Sequence, residues 1–176
     1  MCLAPASVSI QIGRLLGKIL FVFARHRRAV CKKNISSCFP DLSAQQQKNL
    51  VLRCFEANGI GIIETGWAWN KEPNFFAGKL ICVGESEVKK ELDDKKGVLL
   101  LCPHYSMLDL VAPLLQQAIG EFVISYRPNE NKELDKVICD GRERYGILIN
   151  VRSIRGLVRH LKNGELVWFG PDQDMG

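Results

Sequence analysis

No two of the seven cysteines (2, 31, 38, 54, 82, 102 and 139) form a C-x-x-C pair, and their number is odd. That scatter excludes a disulfide framework and a zinc site, and points to a reducing compartment. There is no G-x-S-x-G elbow and no glycine-rich phosphate loop, which removes the common signatures of serine hydrolases and nucleotide-binding enzymes. No finger, basic-zipper or aromatic-basic RNA-binding pattern occurs either, so nucleic acid is not an expected partner. Internal repeats and low-complexity linkers are missing. The opening stretch MCLAPASVSIQIGRLLGKILFVFARHRR has no long uncharged run: Arg14 and Lys18 interrupt it, and Ile19 to Ala24 falls far short of the ~20 residues of a spanning helix. Its positive charges follow the apolar part, the wrong order for a secretion signal.

What is present is an ordinary globular composition. The 176 residues are 47% hydrophobic and 24% charged, enough for one real core. The net charge of +5 favours acidic partners such as phosphates, anionic lipid or an acidic protein. Ile12, Leu15, Leu16, Ile19, Leu20 and Phe23 recur at the spacing of one helix face, with Arg14, Lys18 and Arg25 off it. Such a helix either packs on the domain or lies in a membrane interface. The following Arg25-His26-Arg27-Arg28 and Lys32-Lys33 favour an anionic membrane surface.

Pro40-Asp41 breaks the chain, and Ser43 with Gln46 reads as a capping box opening a helix of roughly 25 residues toward Trp69, ended by Pro73. From Gly97 onward the pattern changes. Short apolar runs at Val98–Cys102, Phe122–Tyr126, Ile147–Val151 and Leu166–Phe169 alternate with expected helices at 106–118, 130–143 and 153–162. Runs without polar alternation imply strands buried on both faces, and their alternation with helices implies an α/β fold with a mostly parallel sheet and flanking helices. Ligands bind such sheets at the carboxyl ends of the strands. Three of those ends deliver Pro103-His104, Arg127-Pro128-Asn129 and Pro171-Asp172-Gln173-Asp174 to one edge.

The first of these ends belongs to LLLCPHYSMLDL, residues 99–110. Within one regular helix, His104 and Asp109 would point about 140° apart, so the histidine is expected in the turn before a helix that Ser106 caps. Asp109 then sits in the first turn, where it can reach back to the imidazole. It can equally serve the helix, because S-x-x-D is a capping box and an acid there is stabilised by the macrodipole. A histidine–carboxylate pair is what a general base needs: the acid fixes the tautomer and stabilises the imidazolium. Cys102 and Ser106 lie close enough to raise a covalent route, but the first suits strand packing and the second a cap. Direct transfer to an activated hydroxyl is the simplest chemistry.

HYSMLD fits the H-x-x-x-x-[D/E] motif of glycerolipid-type acyltransferases. More narrowly, the segments NISSCFPDLS (34–43), ETGWAW (64–69), GVLLLCPHYSMLDL (97–110), YRPNEN (126–131), GRERYG (141–146) and LKNGELVWFGPDQDMG (161–176) resemble the late acyltransferases of lipid A biosynthesis, the lauroyl/myristoyl group. The resemblance implies an enzyme at the cytoplasmic face of the inner membrane that moves an acyl chain from acyl carrier protein to a hydroxyl of a lipid A precursor. It implies His104 as base, Asp109 as its orienting carboxylate, and Arg142 and Asp172 as further essential polar positions. Arg142 would stabilise the oxyanion, and Arg127, Arg144 and Asp174 are adjacent substrate-binding candidates. No metal or tightly bound organic cofactor is required. On this reading residues 1–75 are a helical, membrane-associating region and residues 76–176 an α/β catalytic region that is incomplete at its C-terminus. The alternatives are a glycerol-phosphate-type acyltransferase, whose glycine-rich phosphate motif is missing, and a catalytically inactive membrane-associated fragment.

Overall fold

The computed structural model of the chain describes residues 5–78 and 81–172. The chain divides into two compact units, Met1–Trp67 and Ala68–Gly176, so the division falls within a long helix.

The first unit is helical: α1 (Ala6–Phe23), α2 (Arg25–Cys38) and most of α3 (Ala44–Asn70). The capping box forms as expected. Ser43 N donates to Gln46 Oε1 at 2.8 Å and Gln46 N donates to Ser43 Oγ at 3.3 Å. Helix α1 packs through its small residues. Its buried residues are Ser9, Gly13 and Gly17, spaced four apart, rather than the large apolar stripe. A Cβ on Gly17 would lie 2.3 Å from Phe55 O, and one on Gly59 would lie 2.1 Å from Gly13 O. The two helices therefore touch backbone to backbone, an approach that only small residues permit. Val8, Ile12, Leu15, Ile19, Val22 and Phe23 are left exposed. Among the described residues α1 alone is long and apolar enough, by length and composition, to cross a membrane, which also corrects the expectation drawn from Arg14 and Lys18. Its 18 residues span roughly 27 Å, close to the ~30 Å hydrocarbon core.

The second unit is the expected α/β fold. The tail of α3 leads through a 3-10 turn at Pro73–Phe76 to α4 (Glu85–Asp93), β1 (Val98–Leu101), α5 (Leu108–Ile119), β2 (Phe122–Tyr126), α6 (Lys132–Arg142), β3 (Gly146–Asn150), α7 (Ile154–Lys162) and β4 (Leu166–Phe169). All the pairings are parallel, in the order β1-β4-β2-β3. Alternation along the strands splits the core in two. Phe122, Ile124, Leu166 and Trp168 pack with Ala112 and Leu115 of α5 and with Val88 and Leu92 of α4, while Val123 and Val167 pack against Leu157 of α7.

Burial on both faces holds for the central strands only. Leu99 and Leu101 of β1 are 49% and 58% exposed and Ile147 of β3 is 56% exposed, because α7 covers the middle of its face and leaves these edge-strand positions uncovered. The motif segments also interlock. A Cβ on Gly141 would lie 2.5 Å from the Trp69 ring, and the Tyr145 hydroxyl donates to Ala68 O, so Ala68-Trp69 packs on GRERYG.

Candidate active site

The register of the sheet builds the site. Leu101 pairs with Phe169, so His104 and Asp172, each three residues further on, leave the sheet side by side. The ladder continues as Cys102 N donates to Phe169 O at 3.0 Å. His104 Nδ1 then lies 2.7 Å from Asp172 Oδ1, and His104 N donates to Asp172 Oδ2 at 2.7 Å. These bonds from His104 hold the Asp172 carboxyl below the usual aspartate range. An ionised carboxylate can only accept, so in the neutral imidazole the proton resides on Nδ1 and the lone pair on Nε2. Gly170 makes the seat. A Cβ there would lie 2.9 Å from His104 Cε1 and 3.4 Å from Nδ1.

Asp109 does not partner the imidazole in this arrangement. It lies in the first turn of α5 as expected, but its carboxylate takes two bonds from Arg142, from Nε at 2.7 Å and from a terminal nitrogen at 3.2 Å. A two-pronged fit of this kind is the strong form of an arginine–carboxylate contact. The reason is geometric: α6 ends at Arg142 within reach of the start of α5, while the turn between β1 and α5 turns His104 toward β4. The Ser106 cap is not formed either. Helix α5 begins at Leu108, with Met107 at the capping position and no side-chain cap bond.

A cleft of about 100 Å³ brings His104, Asp109 and Arg142 together. His104, Asp109, Arg127 and Arg142 line it together with Ser125 and Tyr126, and Cys102, Leu108, Ala112, Ile124 and Trp168 supply much of its apolar wall. Arg144 is not in this lining; its guanidinium donates to Lys71 O at 3.4 Å. Asp174 lies outside the described residues. Among the described residues no cluster of three or more His, Cys, Asp or Glu could hold a metal ion. Chemically, the cleft offers a histidine whose Nε2 has no partner among the described residues, a guanidinium with three N–H groups beyond its bonds to Asp109, and an apolar wall.

Sequence reasoning matched Asp172 to the resembled family but did not pair it with His104, and it passed over Gly170. The latter had a signal in the sequence: Gly170-Pro171 directly follows the last apolar run, where a strand end meets the site edge.

The chain matches the bacterial lipid A biosynthesis acyltransferase family over residues 1–176, and it belongs to that family. It is 32% identical over 176 residues to the lipid A biosynthesis lauroyltransferase of Escherichia coli (strain K12) and 31% identical to the palmitoleoyltransferase of the same organism. Each of these matches covers 98% of this chain and 56% of the relative. It is also 29% identical over 182 residues to a lipid A biosynthesis acyltransferase of Haemophilus influenzae. The chain thus spans about half the length of the curated relatives it matches.

Proposed function

We propose that the protein transfers a fatty acyl chain from acyl carrier protein to a hydroxyl of a lipid A precursor, with His104 as general base. The observation that carries this reading is the His104–Asp172 pair, which leaves a basic Nε2 in an apolar-walled cleft beside Arg142. Family membership supplies the substrate class.

In this mechanism Nε2 of His104 takes the proton of the acceptor hydroxyl as its oxygen attacks the thioester carbonyl. Asp172 fixes the tautomer and stabilises the imidazolium. The tetrahedral oxyanion is met by the N–H groups of Arg142 that Asp109 leaves unoccupied, and Asp109 positions that guanidinium. Collapse of the intermediate breaks the carbon–sulfur bond, and the imidazolium proton passes to the departing thiolate. The reaction takes place at the cytoplasmic face of the inner membrane. The exposed apolar side of α1, followed by the basic residues at the start of α2, supports that location.

The test is acyl transfer from acyl carrier protein to a tetraacylated lipid A precursor, run with the chain and with His104→Ala. The substitution is expected to lower the rate about 10²–10⁴-fold, the usual contribution of a general base. Equal rates would remove His104 from the mechanism, and no transfer by the folded wild-type chain would overturn the reading for this polypeptide.

A further inference from the structure

A second cleft, of about 570 Å³, is lined by Arg127, Pro128, Asn129, Glu130, Asn150 and Arg152. Arg127 lines both clefts. The sheet again explains the placement. Tyr126 pairs with Asn150, and Val151 N donates to Tyr126 O at 2.8 Å, so Arg127 and Arg152 emerge from neighbouring strand ends.

Both loops are tied down locally. Asn129 N donates to Asp135 Oδ1 at 2.6 Å and Asn131 N to Asn129 Oδ1 at 3.0 Å. On the other strand, Arg152 N donates to Asn150 Oδ1 at 2.9 Å and Ser153 N to Asn150 O at 2.7 Å. Each asparagine oxygen is therefore occupied, and each carboxamide NH2 remains a donor. Among the described residues, neither Arg127 nor Arg152 has an ion-pair partner; the carboxylates of the site are taken up by His104 and Arg142. Glu130 is the one carboxylate lining the cleft.

Two exposed guanidinium groups without an ion-pair partner among the described residues, on fixed loops with amide donors in the same cleft and Arg127 shared with the cleft that holds His104, match the needs of a phosphate ester. We propose that Arg127 and Arg152 form a phosphate-binding subsite that holds a phosphate ester of a bound substrate while its reacting end lies at His104. This rests on the acyl-transfer reading for the identity of the substrates. Two phosphate esters are then available: that of the phosphorylated acceptor lipid, and that of the phosphopantetheine arm carrying the acyl group.

Calorimetric titration of the full chain in detergent tests the subsite with two matched probe pairs. One is a bisphosphorylated tetraacyl lipid A precursor and its dephosphorylated form; the other is 4′-phosphopantetheine and pantetheine. In at least one pair the phosphorylated probe is expected to bind more tightly. Arg152→Gln should weaken that probe about tenfold or more and leave its phosphate-free counterpart unchanged. Arg127→Gln should act alike, and Arg152→Lys should retain part of the preference. The pair that responds identifies the source of the phosphate. The proposal is overturned if the wild-type chain shows no phosphate preference, if Arg152→Gln binds as wild type, or if the loss is equal for both members of a pair. The His104→Ala transfer assay separates the two readings: phosphate-selective binding without any transfer counts against the reaction alone, and transfer without selectivity against the subsite alone.

Discussion

Asp172 engages His104 through both carboxylate oxygens, one on the imidazole Nδ1 and one on the backbone N–H, each at 2.7 Å. The two residues are 68 positions apart, yet this double contact fixes the ring, its tautomer and the path of the loop together.

Asp172→Asn keeps the shape of that contact but replaces a carboxylate oxygen with an NH2 group that cannot accept from Nδ1. The rate of acyl transfer is expected to fall about 10²–10⁴-fold. A rate within a factor of two of wild type would mean that the imidazole is oriented by some other group.

The pH dependence of this contact has a definite sign. Bonding to His104 lowers the Asp172 pKa in the folded chain, so its contribution to stability is fully present above the ordinary aspartate range and is lost as pH falls through the folded value. Carboxyl titration followed by NMR should show Asp172 returning toward its ordinary pKa in His104→Ala. An unchanged value in that variant would assign the shift to another cause.

Asp109 and Arg142 should behave as a coupled pair. Their side chains are 16% and 22% exposed, so removing either leaves a partly buried charge without its partner. Asp109→Ala and Arg142→Ala should each destabilise the chain by about 2 kcal/mol, and the double variant by clearly less than their sum. Denaturant titration of the four proteins measures the coupling; simple additivity would show that the two side chains do not interact in solution.

Gly170→Ala tests the seat of the imidazole. The added methyl would lie 2.9 Å from Cε1, so the ring must shift, and a fall in kcat is expected at a stability cost of about 1–3 kcal/mol. An unaltered rate would show that the loop has slack.

In the helical unit, Gly17→Ala places a Cβ 2.3 Å from Phe55 O, whereas Gly66→Ala meets nothing within 4 Å. Thermal unfolding should show Gly17→Ala destabilised by about 1–3 kcal/mol or more and Gly66→Ala unchanged or slightly stabilised. Equal effects would contradict the close crossing of α1 and α3.

Local chemistry was legible wherever neighbours in the chain decide the outcome. The Ser43–Gln46 box, the strands Phe122–Tyr126 and Leu166–Phe169 and the alternation of strand and helix follow from short-range spacing and apolar runs, and the structure has them where expected. Ser106 illustrates the limit. Its S-x-x-D pattern is a valid cap, but α5 starts after it and Asp109 is drawn to an arginine from another helix. Helix α1 shows the same limit in packing: hydropathy marked the large apolar face, while the backbone contact at Gly13, Gly17 and Gly59 decided which side is buried.

The alternating pattern was enough to read an α/β unit, and the H-x-x-x-x-D spacing singled out His104 and Asp109, while the family resemblance added Arg142 and Asp172 as candidate reactive groups. Their partners were a matter of strand order. Because β4 lies beside β1, Asp172 reaches His104, and because α6 ends near the start of α5, Arg142 reaches Asp109. Such adjacency arises when distant segments bury their apolar faces together, and no local preference in the chain specifies it.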